Sequence, residues 1–460
     1  MKYEETIEKM ETLHIKNPYA IKSIIVEKLF GYYNYHLEKD TDNDGLGKLL
    51  LFYGDNGSGK TTVLKLLFYL LSTKNNSEFK TRIAQIKFKN FSVTFENNIE
   101  ISAVRKGSEL IGSFYFTIKE KGNIKHQIFL TAKEDFSIQV KDNLEAENNY
   151  LKALKYINDL DISVFFLTDN RKIFDSQNSV ESEFEKYLTG NHFSINELQK
   201  IQYLKDKPET ISLDIRPAID NLTDWIKQQL ILNSKVGEEN SNTLYTLIIK
   251  SLTSKRVNFT SETKDIPDKN EFINRLKNLS DQTNEYSVFG LISPFKYDEI
   301  IQLISETDIE VAVLIYKILD PFIQGLQARL NALEHLKNTI KVFISSVNSY
   351  FSEKEITFHI SKGFTIRHSE NEPPIDFETL SSGERQFLLL LCNTITVSDK
   401  ATIFIIDEPE ISLNVKWQRK LLNTLLNFTK DKFVQFIIAT HSIEIINSHK
   451  NNLIKFQNTK

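Results

Sequence analysis

The 460-residue chain has a single cysteine, Cys392. That excludes a disulfide framework and a cysteine-based zinc site, and a reducing compartment is expected. Glycine (15) and proline (9) are scarce, so no composition marks a flexible linker. Long apolar runs are lacking too. The longest, such as Phe387 to Cys392, fall far short of the ~18 residues of a membrane span and suit buried helices or strands. Neither charge sign is in excess: Lys+Arg 57 against Asp+Glu 61 leaves −4. Wrapping of nucleic acid by bulk charge is thereby excluded, while local basic patches stay open. The opening MKYEETIEKM is charged where a signal peptide is apolar. A soluble, cytoplasmic protein with no membrane partner is expected.

What is present is ordinary globular material, 40% hydrophobic and 26% charged. The length predicts two to three units, or one large domain with insertions. Residues 1 to about 170 alternate short β-rich runs with one apolar helix. Ile21–Leu29 and Leu49–Tyr53 read as strands and Thr62–Ser72 as a helix. Ile86–Phe95, Ile99–Val104, Gly112–Lys119, Gln127–Ala132 and Phe136–Val140 read as an antiparallel sheet. From 171 to 348 the pattern is helical: Ile219–Ile231, Tyr245–Leu252, Glu271–Leu279, Ile309–Leu319 and Pro321–Tyr350. Asp320 is the candidate N-cap of the last, with Pro321 at its first position. Its apolar stripe, from Phe322 to Val347, fits either a core-facing helix or an oligomer seam, since so few positions do not separate a 3.5 from a 3.6 repeat. From 349 onward strands and helices alternate as in a parallel sheet: Ile356–Ile360, Phe364–Arg367, a helix after Ser382, Ala401–Ile406, Lys416–Phe428 and Val434–Ala439. A nucleotide-binding fold split by a helical insertion accounts for the order.

Gly54-Asp55-Asn56-Gly57-Ser58-Gly59-Lys60-Thr61, followed by Thr62, fits the phosphate-loop pattern GxxxxGKT between a predicted strand and a predicted helix. The glycines let the backbone curl so that N–H groups point at phosphate oxygens, and the helix N-terminus adds partial positive charge. Lys60 is expected to reach the β- and γ-phosphates of ATP, and Thr61 to bind Mg²⁺.

The run Ile403–Ile406 ends in Asp407 and Glu408. A buried strand would deliver both carboxylates to the carboxyl edge of the sheet, where ligands bind in α/β folds. Asp407 is expected to hold Mg²⁺ through water, and Glu408 to activate or orient the attacking water. Ser381-Ser382-Gly383 leads into an apolar helix. It reads either as a second anion-binding N-terminus or as a capping box with Ser382 as cap and Arg385 where Glu or Gln is expected. His441 follows the last strand, either as a structural residue or as part of the site. Tyr32, Tyr33 and Tyr35 either stack on adenine or pack.

Together GDNGSGKT, LSSGERQ, IIDEPE followed by Ser412-Leu413-Asn414, and the AT-His441 segment resemble the Walker A, signature, Walker B, D-loop and His-switch of ABC-type ATPases. The branch is similar to the SMC/RecF/OLD group. With KLFGYYNYHLEKD and DEPEISLNVKWQ, the chain resembles the ATPase subunits of Septu (including retron-linked) and PARIS anti-phage systems. The resemblance covers about residues 20–75 and 345–445. It implies an α/β fold, an ABC-type P-loop ATPase head with a mixed β-sheet and a mainly helical insertion. The N-terminal lobe (1–170) would carry Walker A. The insertion would span 171–348, and a C-terminal lobe (349–460) would carry the remaining motifs. Ser382 departs from the common Gly, Glu384 from the transporter Gln, and Asn414 from the common D-loop His. No Q-loop glutamine follows Val164–Leu167; Asn170 or Arg171 is the candidate substitute.

The resemblance implies a head-to-tail homodimer or higher homo-oligomer. Ser381, Ser382 and Gly383 would touch ATP held by the partner protomer, and His441 would sense its γ-phosphate. It also implies a phage-derived trigger and a separate nuclease subunit of HNH or Toprim type, since the tail SIEIINSHKNNLIKFQNTK is too short to hold a metal nuclease. That partner is expected on the insertion or the β-rich lobe; Ile7, Met10 and Leu13 are a lesser candidate surface. The alternative function is a RecF- or SMC-like ATPase that binds DNA directly. Its candidate contacts are Lys80, Arg82, Lys87 and Lys89, with Lys255 and Arg256 in the insertion; solvated surface charge is the other reading.

Overall fold

The computed structural model describes residues 17–38, 48–73, 78–138, 144–168, 173–175, 215–233, 269–306, 309–368, 372–396, 401–411, 413–430 and 432–459. The expected helix Tyr245–Leu252, and Ile7, Met10, Leu13, Asn170, Arg171, Lys255 and Arg256, lie outside them. The chain divides into two compact units: Met1–Asp214 with Val397–Lys460, and Ile215–Thr396.

The first unit contains two six-stranded sheets. One is antiparallel. Its strands are β1 (Ile21–Leu29), β2 (Tyr33–Glu38), β4 (Asn90–Phe95), β5 (Ile99–Arg105), β6 (Phe114–Glu120) and β7 (Asn123–Leu130). Their order is β2-β1-β4-β5-β6-β7. The other sheet contains β3 (Leu49–Tyr53), β8 (Ile162–Leu167), β9 (Ile173–Asp175), β12 (Ala401–Asp407), β13 (Val434–Ala439) and β14 (Leu453–Lys455). Its order is β14-β3-β13-β12-β8-β9, parallel except where β9 pairs with β8. β13 is buried along its whole length, as its apolar run VQFIIA, broken only by Gln435, requires of a strand covered on both faces. Helix α1 (Lys60–Leu71) buries Val63, Leu64, Leu66, Leu67, Phe68, Leu70 and Leu71. It packs on β5 of one sheet and on β8, β12 and β13 of the other, so its apolar residues run almost all round. The Gln435 side chain, in β13, joins the sheets: its amide exchanges two hydrogen bonds with the backbone of Ile21, at 2.8 and 3.0 Å.

Helices α2 (Glu78–Gln85) and α3 (Leu144–Asp159) also belong to this unit. Sequence pattern missed both, along with β2. Their apolar positions are diluted by polar ones and no Gly or Pro punctuates them. The basic cluster expected on the surface here is largely taken up by the fold. Lys80 is buried, and its Nζ donates to the carbonyls of Tyr69, Leu70 and Ser72 at the end of α1. Lys89 donates to the carbonyls of Arg105 and Gly107. Arg82 pairs with Glu78 at 3.7 Å. Arg105, also buried, donates to Gly112, Ile83, Ala84 and Ile86 carbonyls and lies 4.4 Å from the Phe88 ring centroid.

The described part of the second unit is mainly helical. It comprises α4 (residues 215–233), α5 (Lys269–Ser287), α6 (Asp298–Glu306), α7 (Ile309–Tyr350) and α8 (Ser382–Thr396), with a hairpin of β10 (Glu355–His359) and β11 (Gly363–Arg367). The break expected at Asp320-Pro321 does not occur: α7 is one helix of 42 residues with Pro321 inside it. Asp320 is not free to cap. Its carboxylate accepts from Arg275 at 2.8 Å and from Gln324 at 2.6 Å. The helix continues past the proline at the loss of a backbone hydrogen bond. Most of the stripe is core: Leu330, Leu333, Leu336, Ile340, Phe343 and Val347 are all at most 2% exposed, whereas Leu326 is half-buried and Phe322 is exposed. Tyr350 stacks on Phe387 at 3.8 Å, which ties α8 to the end of α7.

Candidate functional site

The site is laid out by strand register. Phe52 of β3 pairs with Ala439 of β13, and Ala439 pairs with Asp407 of β12. One rung of the sheet therefore carries the last residues before the phosphate loop, the His441 segment and the two carboxylates, all at the carboxyl edge. Neighbouring strands lie ~4.8 Å apart, so Phe52 and Asp407 are about 10 Å from each other across the rung. Backbone bonds seal the edge: Thr440 N–H donates to Phe52 O at 3.2 Å, and Glu408 N–H to Ala439 O at 2.9 Å.

The loop from Gly54 to Gly59 turns on two left-handed glycines, Gly57 (φ 80°) and Gly59 (φ 87°). At Gly57 an added Cβ would meet nothing within 4 Å, so the outer face of the loop is open to a ligand. At Gly59 it would lie 2.7 Å from Leu29 Cδ2 and 3.0 Å from Phe30 Cε2, so only glycine fits. Gly59 also caps α1 with no side chain, which leaves the N-terminal amides of the helix for another acceptor. Asp55, Asn56 and Gly57 are exposed, Thr61 and Thr62 are half-buried, and Ser58 is buried. Ser58 Oγ finds no hydrogen-bond partner. Lys60 is 6% exposed; its Nζ donates to the carbonyls of Gly54 at 2.7 Å and Asp55 at 3.1 Å. Burial lowers its pKa, and the charges of Glu408, Asp407, Asp55 and Glu410 oppose that shift. The lysine thus sits in the field of the second half of the site.

Asp407 is 1% exposed at the end of β12. Glu408, next to it, has φ 49°, a left-handed geometry that is strained for a non-glycine residue. The turn sets its Oε1 3.8 Å from His441 Nε2. Of the residues expected from sequence, then, Lys60, Asp407, Glu408 and His441 gather at one sheet edge. The oxygen donors Thr61 and Asp407 are of the kind Mg²⁺ takes. Ser381, Ser382 and Gly383 belong to the second unit, at the start of α8. There Ser381, not Ser382, is the cap: Glu384 N–H donates to Ser381 Oγ at 3.4 Å and Ser381 N–H to Glu384 Oε2 at 2.7 Å. The box is displaced by one residue from the expected one, because Glu384 supplies the reciprocal carboxylate that Arg385 lacks. Lys354 also holds Glu384, at 3.0 Å. Asn414 caps helix α9 (Val415–Phe428) by accepting from Trp417 N–H at 2.9 Å.

Two residues play parts that the sequence reading did not assign them. Tyr35 is 2% exposed, and its hydroxyl donates to Ser58 O at 2.7 Å. It buttresses the loop from beneath and is closed to adenine, while Tyr32 is exposed. Glu410 accepts from the N–H groups of His441 and Ser442 through one oxygen. Its place in IIDEPE was visible, but no local pattern announces a contact with a strand-end loop so far along the chain.

A P-loop between a parallel strand and a buried helix, with a strand-end Asp-Glu pair on the same edge, defines an α/β fold of P-loop ATPase type. The chain matches the family described as "AAA domain, putative AbiEii toxin, Type IV TA system" over residues 49–447, and it belongs to that family. No curated protein matches it. Among solved structures it is similar to the Smc head domain with an extended coiled coil, bound to the C-terminal domain of ScpA, from Pyrococcus furiosus. Identity there is 11%, over 95% of this chain and 94% of that one, with a TM-score of 0.38. A second, the SmcHead bound to the C-winged helix domain of ScpA, is 9% identical over 95% and 97%, also at 0.38. At that degree of superposition neither likeness bears on the site. Among the described residues no helix is long and apolar enough to cross a membrane.

Proposed function

We propose that the chain binds and hydrolyses ATP at this sheet edge, as the nucleotide-driven subunit of a bacterial anti-phage defence complex whose nuclease is a separate chain. The observation that carries the catalytic part is the rung Phe52–Ala439–Asp407, which aligns phosphate loop, His441 and carboxylates. The backbone from Asp55 to Gly59 and the head of α1 cradle the phosphates, with Thr61 and Thr62 at the helix start. Lys60 leaves the Gly54 and Asp55 carbonyls for the more strongly charged phosphate oxygens. Thr61, and Asp407 through water, would hold Mg²⁺, which would supply charge stabilisation for phosphoryl transfer. Glu408 takes a proton from, or orients, the attacking water, and His441 faces the γ-phosphate. Ser381, Ser382 and Gly383 complete the site of a second copy.

The defence assignment rests on the family, whose description names a toxin of a type IV toxin–antitoxin system, and on the motif resemblance to Septu and PARIS ATPases. The first test is hydrolysis. Lys60→Ala is expected to abolish nucleotide-dependent turnover while the fold persists, a loss of several kcal/mol of transition-state stabilisation. Glu408→Gln is expected to keep ATP affinity and to lower kcat by roughly 10²–10⁴. Wild-type turnover in either variant overturns the assignment. The second test is co-expression with the neighbouring gene, pull-down, and phage challenge of cells carrying both genes or either alone. Full protection by this chain alone, with no partner recovered, removes the two-component reading. Salt-dependent binding of the isolated protein to DNA favours the DNA-repair alternative.

A further inference from the structure

We infer that Glu410 is a positioning residue, whose carboxylate fastens the segment after β13 and thereby sets His441 beside Glu408. The inference rests on the ATPase reading above. Glu410 lies on the turn that follows β12. Its Oε1 accepts from His441 N–H at 2.5 Å and from Ser442 N–H at 3.1 Å. Its Oε2 is buried and has no hydrogen-bond partner. A carboxylate held this way is costly, because one oxygen is shut away from water.

The surrounding bonds close a loop. Gln418, on α9, donates through Nε2 to Leu413 O at 2.8 Å and Glu410 O at 3.4 Å. Its Oε1 accepts from Ser442 Oγ at 2.7 Å. Ser442 Oγ in turn accepts from Ile445 N–H at 3.2 Å, capping helix α10 (Ile443–Ser448). The turn after β12, helix α9 and the start of α10 are therefore one hydrogen-bonded frame. Within it, Glu408 is fixed by its N–H bond to Ala439 O, and the His441 backbone is fixed by Glu410. Those two attachments fix the backbone positions from which Glu408 Oε1 and His441 Nε2 come within 3.8 Å. Glu410 itself acts only through the two residues it spaces.

The test compares the full-length wild type with E410A and E410Q in steady-state hydrolysis and ATP affinity. Gln keeps an acceptor oxygen at the same place, and Ala does not. E410A is expected to lose roughly tenfold or more in kcat with KM and ATP affinity within about twofold, and E410Q to stay within about threefold of wild type. The pH profile of kcat should move in E410A and not in E410Q. Unchanged kcat in E410A overturns the inference, and so does an E410Q as impaired as E410A. If E410A does not fold, Q418A carries the test: a fall in kcat at constant KM supports the frame, and unchanged kcat overturns it. If the wild type shows no Lys60-dependent hydrolysis, the ATPase reading fails by itself. The frame is then tested by the NMR titration of His441, assigned with His441→Gln. A shift in E410A that E410Q restores supports it, and identical titrations in all three overturn it.

Discussion

The hydroxyl of Tyr35 reaches Ser58 O at 2.7 Å from a side chain packed 4.8 Å from the Phe456 ring. Phe456 in turn approaches Gly54, where an added Cβ would lie 2.8 Å from Phe456 Cβ. The floor of the phosphate loop is thus made by two residues more than four hundred positions apart. Burial pushes the Tyr35 hydroxyl up to about 12, so it stays a donor across the working pH range. Tyr35→Phe removes one buried hydrogen bond and leaves Ser58 O unpaired by this partner. The expected loss is about 1 kcal/mol in urea unfolding, with weaker ATP affinity measured by titration. Tyr32→Phe, at an exposed position, should change stability little. Equal effects from the two substitutions would remove Tyr35 from the loop's support. Lys60, Asp407, Glu408 and His441 were legible because each follows a motif a few residues long. The parts played by Tyr35 and Glu410 were not, because they depend on partners far away in sequence.

At the scale of elements, the buried parallel strands were the easiest to read. Leu49–Tyr53 is an uninterrupted apolar run and Val434–Ala439 is broken only by Gln435, and their observed bounds are the expected ones. Elements whose pattern is set by a neighbour were harder. The Asp320-Pro321 pair reads as a helix start, yet α7 runs through it because Arg275 and Gln324 claim the Asp320 carboxylate. Lys80 reads as a surface cation, yet it terminates α1 from inside the first unit. Three carbonyls at a helix C-terminus are good ligands for an ammonium, and burial still lowers its pKa to about 7 from the ordinary 10.5. Between those values the unfolded chain holds a proton that the folded one has released. Stability from this group therefore rises as pH climbs from about 7 towards 10.5, and falls as pH drops back through 7. Lys80→Met should abolish that dependence. The measurement is the urea midpoint at pH 6.5 and at pH 9: the wild type should gain more between the two than Lys80→Met does. Parallel changes would mean that the lysine is charged in both states throughout.

At the scale of the whole molecule, the sequence motifs divide between the two compact units. The phosphate loop, Asp407, Glu408 and His441 lie in the first, and Ser381, Ser382 and Gly383 begin α8 of the second. Under the proposed function the signature of one copy completes the site of another, and this makes a prediction about mixtures. Take Lys60→Ala, which damages the phosphate loop, and Ser382→Arg, which damages the signature. Each homodimer then carries two defective sites and should be inactive. In a mixed dimer both defects fall in one site, and the other site is whole. Random pairing at equal concentrations gives half mixed dimers with one good site of two, so hydrolysis should return to about a quarter of wild type for a two-fold symmetric pair. Recovery should need both proteins, grow with time allowed for exchange, and vanish when both substitutions are placed in one chain. Most of the α7 stripe is spent on the core, so the dimer should form through the nucleotide edge and strengthen with ATP in Glu408→Gln. Light scattering with and without ATP and Mg²⁺ follows the pairing directly. A mixture as inactive as its parents, from proteins shown to exchange, would mean that the signature does not act across copies.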